Sequence, residues 1–235
     1  MKTINLENIN IYEGHSQKNQ HCYVDEIFKT IGTTNKYYVD IGAYDGVTNS
    51  NVIDLKLKFG WDGLMIDNNE ANALLGLHKH SVTKDNICDL LGKYKVPQNF
   101  DFLSLDIDGM DYWILNSLLT HYKPRVIVVE SNVRFKSLES NVLKYKEDYC
   151  WDGLNWYGAS PYALKKLSNK FGYTPIYVLY DDVFIIENQS LSEEDINKPW
   201  ETIYPCPNVE LYKDHIKPYH PRPVQNMREE EWMEI

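Results

Sequence analysis

Short apolar runs bounded by turn residues alternate along this chain with segments of helical spacing, the pattern of βα units built on a parallel sheet. Residues 37–41 form the first run, which ends in a glycine-containing turn before helical spacing over 51–59. Residues 63–66 form the second, followed by Asp67-Asn68-Asn69-Glu70 and a helix expected over 71–78. A weak third strand is expected over 80–83, a fourth over 100–105 and a fifth over 125–129, with a helix over 112–119 between the last two. Ser160 followed by Pro161 is a helix start, since Ser caps well and Pro suits the first helical position; the helix should run to about residue 170, where Gly172 stops it. Residues 174–179 and 183–187, separated by a Tyr-Asp-Asp turn, read as a hairpin.

The ends of the chain differ from this middle. Residues 1–23 are polar and read as an irregular arm that either closes over a cleft or is held loosely, ahead of a helix over 24–31. The α/β domain spans 24–189, and the extension over 190–235 is rich in proline, which prevents continuous helix or sheet. It reads as an extended tail that packs on the body or joins a second copy as a homodimer.

Acids gather where the strands end. Asp40 stands two residues before Gly42, with Gly46 completing the turn; Asp67 ends the second strand, Asp106, Asp108 and Asp111 crowd the fourth, and Glu130 ends the fifth. Ligands of open α/β sheets bind outside the carboxyl ends of the strands, and glycines there let a ligand approach the backbone. The G-x-G-x-x-G fingerprint is absent, and a carboxylate at the first turn repels a pyrophosphate while accepting hydrogen bonds from an ammonium group or hydroxyls. S-adenosylmethionine, a cation with an amino-acid tail and no phosphate, meets that requirement. Asp67 lies about 20 residues beyond the glycine turn, where such folds hold ribose hydroxyls; with Glu70 three residues on, it equally suits the cap of the next helix.

Three carboxylates within six residues repel one another and call for a cation, a proton or helix amides. Asp111 fits the N-cap of the following helix. Asp106, Asp108, Glu130 and Asn132 suit a hard divalent ion such as Mg²⁺. The same acids also suit a cleft in which Asp106 or Glu130 is a general base and Asp108 orients the acceptor. Trp151, Trp156 and Tyr157 belong to an aromatic loop over this cleft, either stacking on an acceptor or packing the loop down.

Composition narrows the function classes. The chain has 235 residues, 24 basic against 34 acidic, and a net charge of −10, which opposes attraction to phosphate backbones and disfavours nucleic acid as a partner. Cys22, Cys88, Cys150 and Cys206 form no C-x-x-C pair and read as free thiols. No apolar stretch is long enough for a membrane span or a secretory leader, so a cytoplasmic protein is expected.

Four ordered stretches, D-I-G-A-Y-D-G, G-W-D-G-L-M-I-D, F-L-S-L-D-I-D-G-M-D-Y-W-I-L and Y-G-A-S-P-Y-A-L, resemble the FkbM-type methyltransferases over about residues 36–187. The resemblance implies a Rossmann-like class I methyltransferase sheet of order 3-2-1-4-5-7-6 with helices on both faces. It further implies S-adenosylmethionine as cofactor and O-methylation of a sugar, nucleotide sugar or surface glycan precursor. N-methylation of an amino sugar and a cofactor-binding subunit without turnover remain open beside it. By position, Asp40, Gly42 and Gly46 border the methionine part of the cofactor, Asp67 the ribose, and Asp85 or Asn86 the adenine. The chain departs from the family at Asp106-Ile107-Asp108-Gly109, where relatives commonly read D-V-E-G; the shorter acid keeps its charge but draws it back by about one methylene.

Overall fold

The structure, a computed structural model, describes residues 2–151, 157–204 and 231–235. Its strands are β1 (Tyr37–Ile41), β2 (Asp62–Asp67), β3 (Leu77–Lys79), β4 (Asn99–Leu105), β5 (Lys123–Glu130), β6 (Asn141–Leu143), β7 (Tyr173–Leu179), β8 (Asp182–Glu187) and β9 (Trp232–Glu234). Seven of them form one sheet in the order β3-β2-β1-β4-β5-β8-β7. The first five are parallel, while β8 runs antiparallel to both β5 and β7. Counting only the strands of this sheet, the order is 3-2-1-4-5-7-6, as the resemblance implied. The small β6 pairs instead with β9.

Because successive side chains on a strand point to opposite faces, each strand feeds two cores. Ile41, Leu64, Leu103, Ile127 and Ile185 face the helices α3 (Ile87–Lys93), α4 (Asp111–Leu118) and α5 (Pro161–Lys170), whose Leu91, Ile114, Leu115 and Leu164 are buried with them. Tyr38, Met65, Phe102, Val128 and Phe184 face α1 (Gln20–Ile31) and α2 (Ile53–Phe59) through Val24, Ile27, Phe28 and Ile53. Each such side chain contributes about 1.5–3 kcal/mol on full burial, so a parallel sheet covered on both sides is where this chain's apolar runs are most stable.

Several expected elements are corrected. Residues 71–78 are not a helix: Asn72 and Leu77 exchange backbone hydrogen bonds, Gly76 turns the chain at φ +76°, and the third strand follows at once as Leu77–Lys79 rather than over 80–83. The start of α1 lies four residues before the expected 24, within the arm assigned to 1–23. The arm itself is tied down, with Ile4 and Leu6 buried and the Ile4 amide donating to the Asp195 carboxylate. In the C-terminal extension, expected without helix, Ser192 forms a capping box with Asp195 that starts α6 (Glu193–Ile196), and α7 (Trp200–Ile203) follows Pro199. Trp200, Ile203 and Tyr204 pack on Val133, Tyr162 and Val178, and Ile235 returns its backbone to Ser140. Most of the tail's prolines and Cys206 lie outside the described residues. Ser160 caps α5 as expected, accepting from the Ala163 amide. Among the described residues no helix is long and apolar enough to cross a membrane.

Candidate active site

The parallel strands all end on one side of the sheet, and strand order reverses between β1 and β4. Gly42 makes their close approach possible. It sits at φ +85°, and a Cβ there would lie 1.6 Å from the carbonyl oxygen of Asp106, so the turn after β1 packs directly on the end of β4. What comes nearest this glycine is the chain itself. Gly46, at φ +80°, leaves room for Leu75 and Met65, each 3.3 Å from where a Cβ would stand.

Asp67 ties two turns together. Its Oδ2 accepts from the Tyr44 amide at 2.9 Å and its Oδ1 from the amides of Asn69 at 2.7 Å and Glu70 at 3.3 Å. No helix follows, so the capping alternative is overturned: Asp67 closes a turn. A carboxylate accepts about four hydrogen bonds, which leaves capacity for one more. Asp111 is likewise corrected. The N-cap of α4 is Met110, and the fully buried Asp111 carboxylate reaches back to the amides of Ile107 and Gly109, both at 2.9 Å. It thereby braces the loop carrying Asp108, a non-glycine residue held at φ +58°.

Carboxylate oxygens of Asp106, Asp108 and Glu130 come within 4.8 Å of one another. Burial first, then the charges of Asp111, Asp182 and Asp108, hold the Asp106 carboxyl well above the usual range. Yet solvent reaches Asp106 and Asp108. Both are hemmed in by protein yet open to solvent on one side. Glu130 is raised for the same reasons, burial and then Asp106, and its Oε2 is buried without any hydrogen-bond partner. Asn51 Oδ1 is a second buried acceptor left unsatisfied, on a side chain whose Nδ2 donates to Ser104 at 3.3 Å. The Asn132 side chain accepts from the Arg134 amide and donates to the Tyr157 carbonyl, which anchors the loop beside Glu130.

Asp85 and Asn86 have local partners. Lys84 holds the Asp85 carboxylate at 2.7 and 2.8 Å, while Asn86 accepts from the Thr83 amide and donates to the Ser81 carbonyl. Tyr157 stands edge-on to Trp151, and burial, followed by the charges of Glu130 and Asp181, raises its hydroxyl pKa. Trp156 lies outside the described residues.

Sequence reasoning missed the hairpin's contribution. Asp182 lies across the β5–β8 ladder from Glu130, and the amide and hydroxyl of Ser131 both donate to the Asp181 carbonyl, at 2.6 and 2.8 Å. Two acids in a turn between apolar strands were the signal, but it read as turn chemistry only.

Asp40 is 4% exposed, and burial, opposed by a hydrogen bond from Ser104 and reinforced by Asp67, pushes it up to about 7. In the unfolded chain an aspartate titrates near about 3.9. Between these values the unfolded state releases a proton that the folded state keeps, so stability falls as pH rises from about 4 to about 7. At about 1.4 kcal/mol per unit, Asp40 accounts for roughly 4 kcal/mol. Asp106, Glu130 and Asp182, raised as well, act in the same direction. The ligand-free protein is therefore expected to melt at a higher temperature at pH 5.5 than at pH 8; a flat or inverted profile by scanning calorimetry would contradict these protonation states.

No family model matches the chain, and no curated protein matches it, so the FkbM-type resemblance rests on its four motifs. Among solved structures the chain is similar to the N-terminal domain of EvdMO1, crystallised in the presence of SAH and D-fucose. Identity is 11% and the TM-score 0.43, over 79% of this chain and 89% of that one. It is also similar to the CMeT domain of the citrinin polyketide synthase, at 10% identity and a TM-score of 0.44 over 73% of this chain and 52% of that one. A third is an S-adenosylmethionine-dependent methyltransferase from Clostridium acetobutylicum ATCC 824, at 8% identity and a TM-score of 0.41 over 71% and 90%. From its own strand order and direction, the chain has the Rossmann-like sheet of class I methyltransferases, with Asp106, Asp108 and Glu130 clustered at the carboxyl ends of β4 and β5.

Proposed function

We propose that the chain is an S-adenosylmethionine-dependent methyltransferase that acts on a hydroxyl of a sugar or similar polyol. The observation that carries this reading is the clustering of Asp106, Asp108 and Glu130 at the carboxyl ends of β4 and β5, beside the switch point of a 3-2-1-4-5-7-6 sheet. These acids suit a cationic ligand and oppose a phosphate. Asn51 Oδ1 and Glu130 Oε2, two of the buried polar atoms left unsatisfied among the described residues, are the kind of group that an ammonium or hydroxyl donor would satisfy.

When bound, the cofactor supplies a methyl group on a sulfonium, activated for in-line displacement. Asp67 offers its remaining acceptor capacity to the ribose, Gly42 and Gly46 shape the turn that Asp40 underlies, and Asp85 and Asn86 stand on the loop assigned to the adenine. Asp106, with its raised pKa and access to solvent, takes the acceptor's proton, and an aspartate poised nearer neutrality is a better base for that task. Glu130 and Asp108 hold the hydroxyl against it. A second reading is favoured by the clustering of Asp106, Asp108 and Glu130 within 4.8 Å of one another, which suits a hard divalent cation such as Mg²⁺ that would bind acceptor oxygens and lower a hydroxyl pKa.

Calorimetric titration with S-adenosylmethionine, with and without Mg²⁺, tests both. Saturable binding is expected, and Asp67→Ala should weaken it by about 1–3 kcal/mol, the cost of losing a hydrogen bond to a charged group. Absence of binding in either condition would overturn the methyltransferase reading, and an unchanged affinity in the Asp67 variant would remove that residue from the site.

A further inference from the structure

The cleft presents a charge problem to the ligand proposed for it, and the solution comes from the N-terminal segment. The amino-acid tail of S-adenosylmethionine is a zwitterion. Its ammonium finds acids in abundance, but its carboxylate meets a region bordered by Asp67, Asp106, Asp108, Glu130, Asp181 and Asp182, and each of these that is ionised repels it.

Residues 16–20 run across this region. Ser16 bridges to Asn49, in the turn that follows β1, and Gln20 donates to the Asp182 carboxylate on the hairpin opposite Glu130. Between them, Lys18 places its ammonium 2.5 Å from Asp181 Oδ1 and 4.7 Å from the centre of the Tyr180 ring. Lys18 and Asn19 are consecutive non-glycine residues in the left-handed region, at φ +49° and +61°, a strained path retained where surrounding contacts over-determine it. The ion pair is partly exposed, with side-chain accessibilities of 27% and 33%, and such pairs stabilise by only about 0–1 kcal/mol. Its ammonium is therefore easily exchanged to another anion.

We propose that Lys18 is the residue that binds the carboxylate of S-adenosylmethionine, leaving Asp181 for it when the cofactor enters, and so makes the cleft selective for the zwitterionic tail. The assignment rests on the methyltransferase reading above and extends it to a segment that none of the sequence motifs include. Arg134 is a competing cation; its charge acts on Tyr157, whose hydroxyl also feels Glu130 and Asp181.

Decarboxylated S-adenosylmethionine keeps the sulfonium and the ammonium and lacks only the carboxylate. Calorimetry on the full chain is expected to show it binding about tenfold or more weakly than S-adenosylmethionine. Lys18→Ala should lower affinity for S-adenosylmethionine by about tenfold to a hundredfold and barely alter affinity for the decarboxylated compound, with Lys18→Arg restoring most of the difference. Three results would overturn the assignment alone: equal binding of the two compounds by the unaltered protein, equal weakening of both by Lys18→Ala, which would make Lys18 a structural latch, or a carboxylate-selective loss in Arg134→Ala instead. Binding of neither compound would overturn the methyltransferase reading and the assignment with it.

Discussion

Asp106→Asn is expected to lower turnover by about 10²–10⁴-fold, the usual contribution of a positioned general base, while cofactor affinity stays close to that of the unaltered chain. Asparagine has nearly the same shape, so the contact between the Asp106 carbonyl and Gly42 is untouched, whereas a neutral amide cannot take a proton. The stability change should run the other way. The Asp106 carboxylate is opposed by burial and by four neighbouring acids, so removing its charge relieves repulsion and the variant should melt above the parent near neutral pH. Gain in stability with loss of activity is the mark of a group kept for function at a structural cost. Turnover within a few-fold of the parent, measured with any acceptor found to be methylated, would remove Asp106 as the base and direct attention to Glu130.

Arg125→Ala is expected to destabilise the fold by about 3–5 kcal/mol, the cost of leaving a buried charge without its partner. Arg125 donates to Glu187 and Asp101, both at 3.0 Å, to the carbonyls of Gly32 and Ile31, and to the Ser190 hydroxyl. Asp101 has no exposure at all and also accepts from the amides of Thr34, Asn35 and Lys36. Burial, the largest influence on its carboxyl, acts to raise the pKa, but the hydrogen bonds from Thr34, Lys36 and Arg125 together outweigh it and hold the carboxyl below the usual range. Without Arg125 that balance tips, and Asp101 and Glu187 are left as neighbouring buried acids. Urea unfolding should show the midpoint falling with little change in slope. A loss below about 1 kcal/mol would mean that the network behaves like an exposed surface pair.

These two centres lie at opposite ends of the sheet and were unequally visible beforehand. Asp106 ends an apolar run beside a glycine, a local signal spanning a few residues. Asp101 sits inside the β4 run and Arg125 near the start of β5, and nothing within a few residues of either says that they meet. The helix expected over 71–78 failed for a related reason: the paired backbone groups of Asn72 and Leu77 and the docking of Leu77 beside Met65 prevail over a weak local helical pattern.

What the sequence determined by itself was the alternation of buried strands and covering helices, the closing hairpin, the cap at Ser160 and the acids at the strand ends. Periodicity, capping and turn chemistry act over short stretches of chain and are written in neighbouring residues. Packing of distant segments fixed which acids share one space, that Asp67 and Asp111 close turns rather than cap helices, and that Lys18 meets Asp181 across 163 residues of chain. Those outcomes depend on how β1, β4, β5 and β8 line up in register, and that register is set by burial of both faces of the sheet together, which no single stretch encodes.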